Sequence, residues 1–243
     1  MGRASRLARK RKDKKSHEDR GLTQRVGRVF WRVGFSAVAL VLLWIIAYRF
    51  LPVPTTAYMI SEARRIGTID QTWRPLEEIS PNLQRAVVAA EDANFCAHWG
   101  FDMSAIRDAI SDGAQRGAST LSQQTVKNAF LWHGRNWGRK ALEAALTPVV
   151  ELIWPKSRVL EVYLNIAEFD AGIFGAEAAA QHYFGVSAAD LTLAQAARLA
   201  AVLPAPKDRS AANPSPWLLE RAASITDGAA TIANDGRDDC FAN

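Results

Sequence analysis

The sequence predicts a mainly helical protein, an all-α domain behind a single N-terminal membrane-spanning helix. Three observations carry that reading: an uncharged apolar run directly after a basic leader, a series of Ala- and Leu-rich segments with helical spacing, and the absence of sustained two-residue alternation. Residues 1–32 hold 12 Lys+Arg against 3 Asp+Glu, a net of +9, while residues 33–243 sum to −4. The chain's overall charge of +5 is therefore confined to its leading segment. A nucleic-acid-binding domain would carry its basic patch on the fold itself, so no nucleic-acid partner is expected. The composition is 49% hydrophobic and 23% charged, which excludes a wholly disordered chain or a collagen-like repeat.

The apolar run from Val33 to Tyr48 (VGFSAVALVLLWIIAY) is uncharged. Arg49 interrupts it, and with Arg49 reaching the interface, residues 33–53 rise roughly 31 Å as a helix, the thickness of a bilayer core. Trp31, Trp44 and Tyr48 suit the interfacial belts, and the Lys/Arg-rich leader places the N-terminus in the cytoplasm. A cleavable signal peptide is the competing reading. A 32-residue basic lead is long for one, and no A-x-A site follows the apolar core. The sequence thus divides into a basic tail (1–32), an anchor (33–53), a membrane-proximal linker with polar helical fragments (54–80) and a globular domain (81–243).

Within that domain, Ser80 followed by Pro81 signals a helix start, and Leu83, Ala86, Val87 and Ala90 continue it to Glu91-Asp92. Helices are expected over 102–112, 120–131, 139–153, 155–165, 174–184 and 190–203. Pro148 should kink or break the third of these, which carries Leu142, Ala145, Leu146, Val149 and Ile153 on one face. Only Cys96 and Cys240 occur; they match no metal motif, and pairing or two free thiols are both open.

An acidic pair, Glu91-Asp92, closes an otherwise apolar helix, which is costly unless the carboxylates are paired or used. The segment G-A-S-T-L-S-Q-Q-T-V-K-N (117–128) is dense in hydroxyl and amide groups suited to sugars, and its lysine suits a phosphate. Arg139 and Glu143 fall four apart on one helix face. Each piece alone has a plain structural explanation: a solvated helix pair, a capped loop, a packed histidine at His98.

Their order removes that ambiguity. E-D-x-x-F-x-x-H-x-G-x-D at 91–102, then G-A-S-T-L-S-Q-Q-x-x-K-N, then R-K-x-x-E, then L-E-V-Y-L-N at 160–165 closely resembles the peptidoglycan glycosyltransferases of family 51. The stretch 165–185 (NIAEFDAGIFGAEAAAQHYFG) looks like their monofunctional biosynthetic transglycosylases, and the resemblance covers roughly 55–220. Neither S-x-x-K nor K-T-G, the marks of a transpeptidase domain, is present.

The resemblance implies a lysozyme-like glycosyltransferase domain that polymerises lipid II into glycan strands with inversion, releasing undecaprenyl pyrophosphate. It implies a catalytic base at Glu91 and a second essential glutamate at Glu143, assisting departure of the pyrophosphate. Lys127 and Arg139 match its pyrophosphate contacts. Asp92, Phe95, His98, Ser119, Thr120, Gln123, Gln124 and Asn128 match positions that shape the donor and acceptor subsites. By analogy with inverting glycosidases the two glutamates should stand about 6.5–9.5 Å apart or more. A divalent ion (Mg or Mn) at the pyrophosphate is proposed for the family, although the sequence offers no dedicated site. The expected partners are lipid II, the growing strand, membrane lipid and other cell-wall synthesis proteins. The expected location is the bacterial inner membrane, with the catalytic domain periplasmic.

Phe130, Leu131, Trp132 and Trp137 are candidates for lipid contact or, equally, for core packing. Three departures from the family pattern stand out: Ala118 in place of a second glycine, Cys96 beside Phe95, and Pro148 one turn after Glu143. Two further readings remain: a lytic enzyme of the same architecture, which has no use for cations at a pyrophosphate, and an inactive membrane-anchored scaffold, which has no reason to keep the four charged residues.

Overall fold

The computed structural model describes residues 3–111, 119–134 and 136–242, with side chains described from residue 27 onward. The position of Ala118 lies outside the described residues. Two units result, residues 1–48 and residues 49–243. The first is carried by helix α1 (Arg3–Phe50), whose stretch Gly27–Phe50 is apolar and, at 24 residues, long enough to cross a membrane.

The second unit is helical with one small sheet. Residues 54–80, read above as a linker, fold within it. Thr56 caps α2 (Ala57–Ile66), strand β1 (Asp70–Gln71) follows, and Met59, Leu76 and Ile79 are buried. Helix α3 (Pro81–Glu91) begins as its sequence dictates, with the Ser80 hydroxyl accepting from the Asn82 amide and Pro81 in the first turn. Helix α4 (Met103–Ser111) is capped by Asp102, whose carboxylate accepts from the amides of Ser104 and Ala105 at 2.9 Å each. A hydrogen bond from the Ser104 hydroxyl, together with those amides, holds Asp102 far below the usual carboxylate range. Helix α5 (Leu121–Phe130) opens on a reciprocal cap between Thr120 and Gln123.

Helix α6 (Trp137–Ile153) carries through Pro148, so the expected break is absent. The Thr147 hydroxyl donates to the Glu143 carbonyl at 2.7 Å in the turn where the proline interrupts the ladder. Helices α7 (Lys156–Ile166), α8 (Ala176–Phe184) and α9 (Leu193–Val202) follow, and α10 (Pro216–Asp235) adds a 20-residue helix that the periodicity reading did not anticipate. Between α7 and α8 the chain forms strands β2 (Glu168–Asp170) and β3 (Ile173–Phe174). The sheet order is β1-β3-β2, with β1 parallel to β3 and β2 antiparallel to it through an irregular register.

Two packing groups frame the site. Helices α3, α9 and α10 pack together through small residues, and a Cβ added to Gly228 of α10 would stand 3.2 Å from the Ala89 side chain of α3. Helix α5 packs between α6 and α7. At Gly175, the cap of α8, φ is +84° and an added Cβ would meet the Asn165 carbonyl at 2.8 Å, so only glycine fits. The disulfide Cys96–Cys240 answers the question left open by the sequence and ties the turn after α3 to the segment after α10.

Candidate active site

Glu91 is the last residue of α3 and faces a cleft of about 770 Å³ that it shares with Ser119, Gln124 and residues of α10. Burial pushes its carboxyl up, while a hydrogen bond from Gln124 Nε2 at 2.9 Å and the fields of Arg221 and Lys127 oppose that rise. Gln124 is itself oriented. The Tyr163 hydroxyl, fully buried on α7, donates to its Oε1 at 3.4 Å, which leaves the amide nitrogen to point at Glu91. The three side chains form a line, Tyr163 to Gln124 to Glu91, that holds a carboxylate ready to accept a proton. With Glu91 held above its ordinary 4.5, the acid limb of kcat/KM is expected above that pH. Gln124→Leu removes a bond that favours the charged form, so its acid limb should move further up in a pH–rate profile.

Asp92 is held on both carboxylate oxygens. One oxygen accepts from His98 Nε2 at 2.8 Å and the other from the Leu121 amide at 2.9 Å. The carboxylate thereby fastens the end of α3 to the start of α5, and so fixes Glu91 against Gln124. Thr120 and Gln123 are spent on the α5 cap, and Thr120 also donates to the Gly100 carbonyl at 2.6 Å. Phe95 is fully buried against Phe241, with Lys156 Nζ 4.4 Å above its ring. Of this group, Asp92 and Thr120 line a second recess of about 360 Å³ beside Glu91, whereas Phe95 and His98 stand behind the wall. Asp92→Asn leaves one of two buried amide or imidazole donors poorly matched. It should cost about 2 kcal/mol or more in urea titration.

Beyond Gln124 a smaller cavity of about 150 Å³ is lined by Lys127, Asn128, Tyr163, Tyr58, His133 and Glu168 among others. Burial lowers the Lys127 ammonium, while the fields of Glu143 and Glu91 both raise it. Lys127 therefore feels the charge of both glutamates. Asn128 Oδ1 is buried and, among the described residues, has no hydrogen-bond partner. Glu143 is 2% exposed, and its oxygens accept from Arg139 Nη1 at 2.7 Å and from Lys140 Nζ. The Arg139/Glu143 pair is therefore a buried ion cluster that holds two cations, unlike a solvated helix pair. Lys140 also reaches Ser119 Oγ at 3.3 Å, linking the cluster to the rim of the main cleft.

Among the described residues no three His, Cys, Asp or Glu side chains converge on one point. Both Glu143 oxygens are already held by cations, so the residues present do not fit a protein-held divalent ion there.

A family model described as Transglycosylase matches residues 59–230, most of the chain. The chain belongs to the transglycosylase family. A biosynthetic peptidoglycan transglycosylase from Jannaschia sp. (strain CCS1) is 64% identical over 236 residues, covering 97% of this chain and 99% of that protein. Proteins of the same description from Caulobacter vibrioides and Ectopseudomonas mendocina are 48% and 50% identical, over 82% and 85% of this chain and 88% of each relative. The enzyme is a glycosyltransferase, as the ordered motifs imply.

Several residues of this transglycosylase's cleft escaped the sequence reading. Lys140 sits beside Arg139 in the same motif and was legible as a second cation. Tyr58 and His133 lie in segments read as linker and loop. Burial pushes His133 down to about 4 and Tyr58 up to about 12, so both are neutral beside Lys127. The Tyr58 hydroxyl donates to Glu168. The four apolar candidates divide. Trp137 is 91% and Trp132 47% exposed, whereas Leu131 is buried and Phe130 packs on Trp154.

Proposed function

We propose that this enzyme polymerises lipid II into linear glycan strands at the outer face of the cytoplasmic membrane. Glu91 takes the proton of the acceptor sugar's 4-hydroxyl as that oxygen attacks the donor's anomeric carbon. The new glycosidic bond forms opposite the breaking bond to the pyrophosphate, which inverts the anomeric centre. The bonding pair leaves with the pyrophosphate, and its growing charge meets Lys127 and the cations Arg139 and Lys140 held by Glu143. In this arrangement Glu143 acts through the cations that it positions. The observation that carries the reading is Glu91, half-buried in an open cleft, receiving a hydrogen bond from Gln124 with Lys127 one helical turn beyond.

The remaining features support a membrane setting. The apolar stretch of α1 suits a single-pass anchor for an enzyme whose substrate is held by a lipid tail. The basic residues before it favour a cytoplasmic N-terminus and place the domain on the opposite side. A disulfide there agrees with an oxidising compartment. Exposed Trp132 and Trp137 lie just before Arg139 in the chain and suit contact with lipid.

The test is incubation of the full-length protein in detergent with labelled lipid II and, separately, with finished peptidoglycan. Polymer from the first with no cleavage of the second is the expected result. Cleavage of finished glycan without polymer formation would replace synthesis by lysis.

A further inference from the structure

The cleft wall facing Glu91 is made by a part of the chain that none of the recognised motifs includes. Arg209 comes from the connection between α9 and α10, and Trp217 and Arg221 from the first turns of α10. The Arg209 guanidinium lies 4.5 Å from the centre of the Trp217 ring, and that ring is 52% exposed. Arg221 Nε is buried with no hydrogen-bond partner among the described residues. Among the described residues neither arginine has a carboxylate within ion-pair distance. The two guanidiniums feel each other's charge, and both feel Glu91. Two cations, Arg209 with Nη1 donating to the Ala201 carbonyl at 3.0 Å and Arg221 with an orphaned buried donor, line an open cleft whose one lining carboxylate is Glu91, and Arg209 also feels Asp208. Such a donor costs free energy until an acceptor reaches it, and a guanidinium is built to take a carboxylate or phosphate.

We propose that Arg209, Trp217 and Arg221 form the acceptor-binding wall: Trp217 packs against a sugar ring and the two guanidiniums take an anionic group of the same substrate. This rests on the polymerase reading above. The base must lie beside the hydroxyl that it deprotonates, so a sugar bound in the Glu91 cleft is the attacking one. The cations assigned to the leaving pyrophosphate occupy other recesses, Lys127 beyond Gln124 and Arg139 with Lys140 beside Trp137. The anion met by Arg209 and Arg221 therefore belongs to the acceptor, either as its own diphosphate or as the carboxylates of its peptide.

Two soluble probes separate these sources by titration calorimetry on the full-length protein in detergent. One is a lipid-free, phosphate-free disaccharide-peptide carrying only carboxylates, and the other is inorganic pyrophosphate. The double variant Arg209→Gln/Arg221→Gln should weaken one of them about tenfold or more, and which one identifies the anion. Trp217→Ala should weaken the disaccharide-peptide and leave pyrophosphate unchanged. Arg221→Lys, which keeps the charge but lacks Nε and the guanidinium fork, should bind measurably more weakly than wild type, and a melting temperature equal to wild type shows that each variant folds. Equal affinities of wild type and double variant for both probes would overturn the proposal, as would wild type binding neither. Lipid II polymerisation by the same wild-type preparation tests the parent reading separately. Polymer formation without arginine-dependent binding sinks the subsite alone, whereas arginine-dependent binding without polymer sinks the polymerase.

Discussion

Glu91→Gln is expected to lower glycan polymerisation by about 10²–10⁴-fold while leaving the fold intact. The substitution keeps the shape of the side chain, and Gln124 can still donate to an amide oxygen, so the bond at the end of α3 survives. What disappears is the only proton acceptor on that side chain. A sugar hydroxyl is a weak nucleophile at neutral pH, and it must lose its proton as the new bond forms. Folding is not expected to suffer, because a half-buried carboxyl whose charged form is disfavoured contributes little to stability when ionised. The decisive measurement is single-turnover transfer at saturating lipid II, with the melting temperature recorded in parallel. Equal rates for wild type and variant would move the base elsewhere. A large fall in melting temperature would show that Glu91 serves the packing of α3 and α5.

Much of this site could be read in the sequence because its chemistry is local. Glu91, the Thr120–Asn128 block and Arg139-Lys140-x-x-Glu143 each lie on one helix or its cap, where residue type and spacing specify geometry. Ser80-Pro81 and the Thr120/Gln123 cap are legible for the same reason. The remainder depends on what the chain brings together over long separations. Asp92 reads as a substrate ligand because its motif position is known, yet its two oxygens are taken by His98 and by an amide 29 residues away. Arg209 and Arg221 look like surface charges until the packing of α10 on α3 turns them toward Glu91. Helix α10 was missed because its run of Ala, Thr, Gly and Asp has weak amphipathic contrast. Its interior Gly228 lowers helix propensity but permits the close approach to Ala89. The strands, two or three residues long, fall below the length at which alternation is detectable. Pro148 does not end α6, since tertiary burial of Thr147 and Val150 holds the segment helical through it.

Reduction of Cys96–Cys240 is expected to be the largest single stability change available outside the hydrophobic core. The bond joins residues 144 apart, and chain-entropy arithmetic for a loop of that size gives about 5 kcal/mol from restriction of the unfolded chain. That is a large share of the stability of an ordinary domain. At the enthalpy scale of a domain this size it corresponds to a fall in melting temperature of about 10–20 °C. The native side adds to the expectation. Phe241, next to Cys240, packs on Phe95, next to Cys96, and Arg85 pairs with Asp238 at 2.6 Å, so the bond closes an already complementary contact. Neither sulfur lines the Glu91 cleft. Cys96→Ser/Cys240→Ser should therefore keep its turnover within about twofold well below the melting temperature, and lose it steeply on warming. Thermal melts of wild type with and without reductant, beside the double variant, separate the contributions. Reduced wild type and variant should coincide, and reductant should leave the variant unmoved. A variant that melts with oxidised wild type would mean that the Phe95–Phe241 and Arg85–Asp238 contacts hold the C-terminal segment without the bond. Protein produced in a reducing cytosol should then be as stable as protein exported across the membrane.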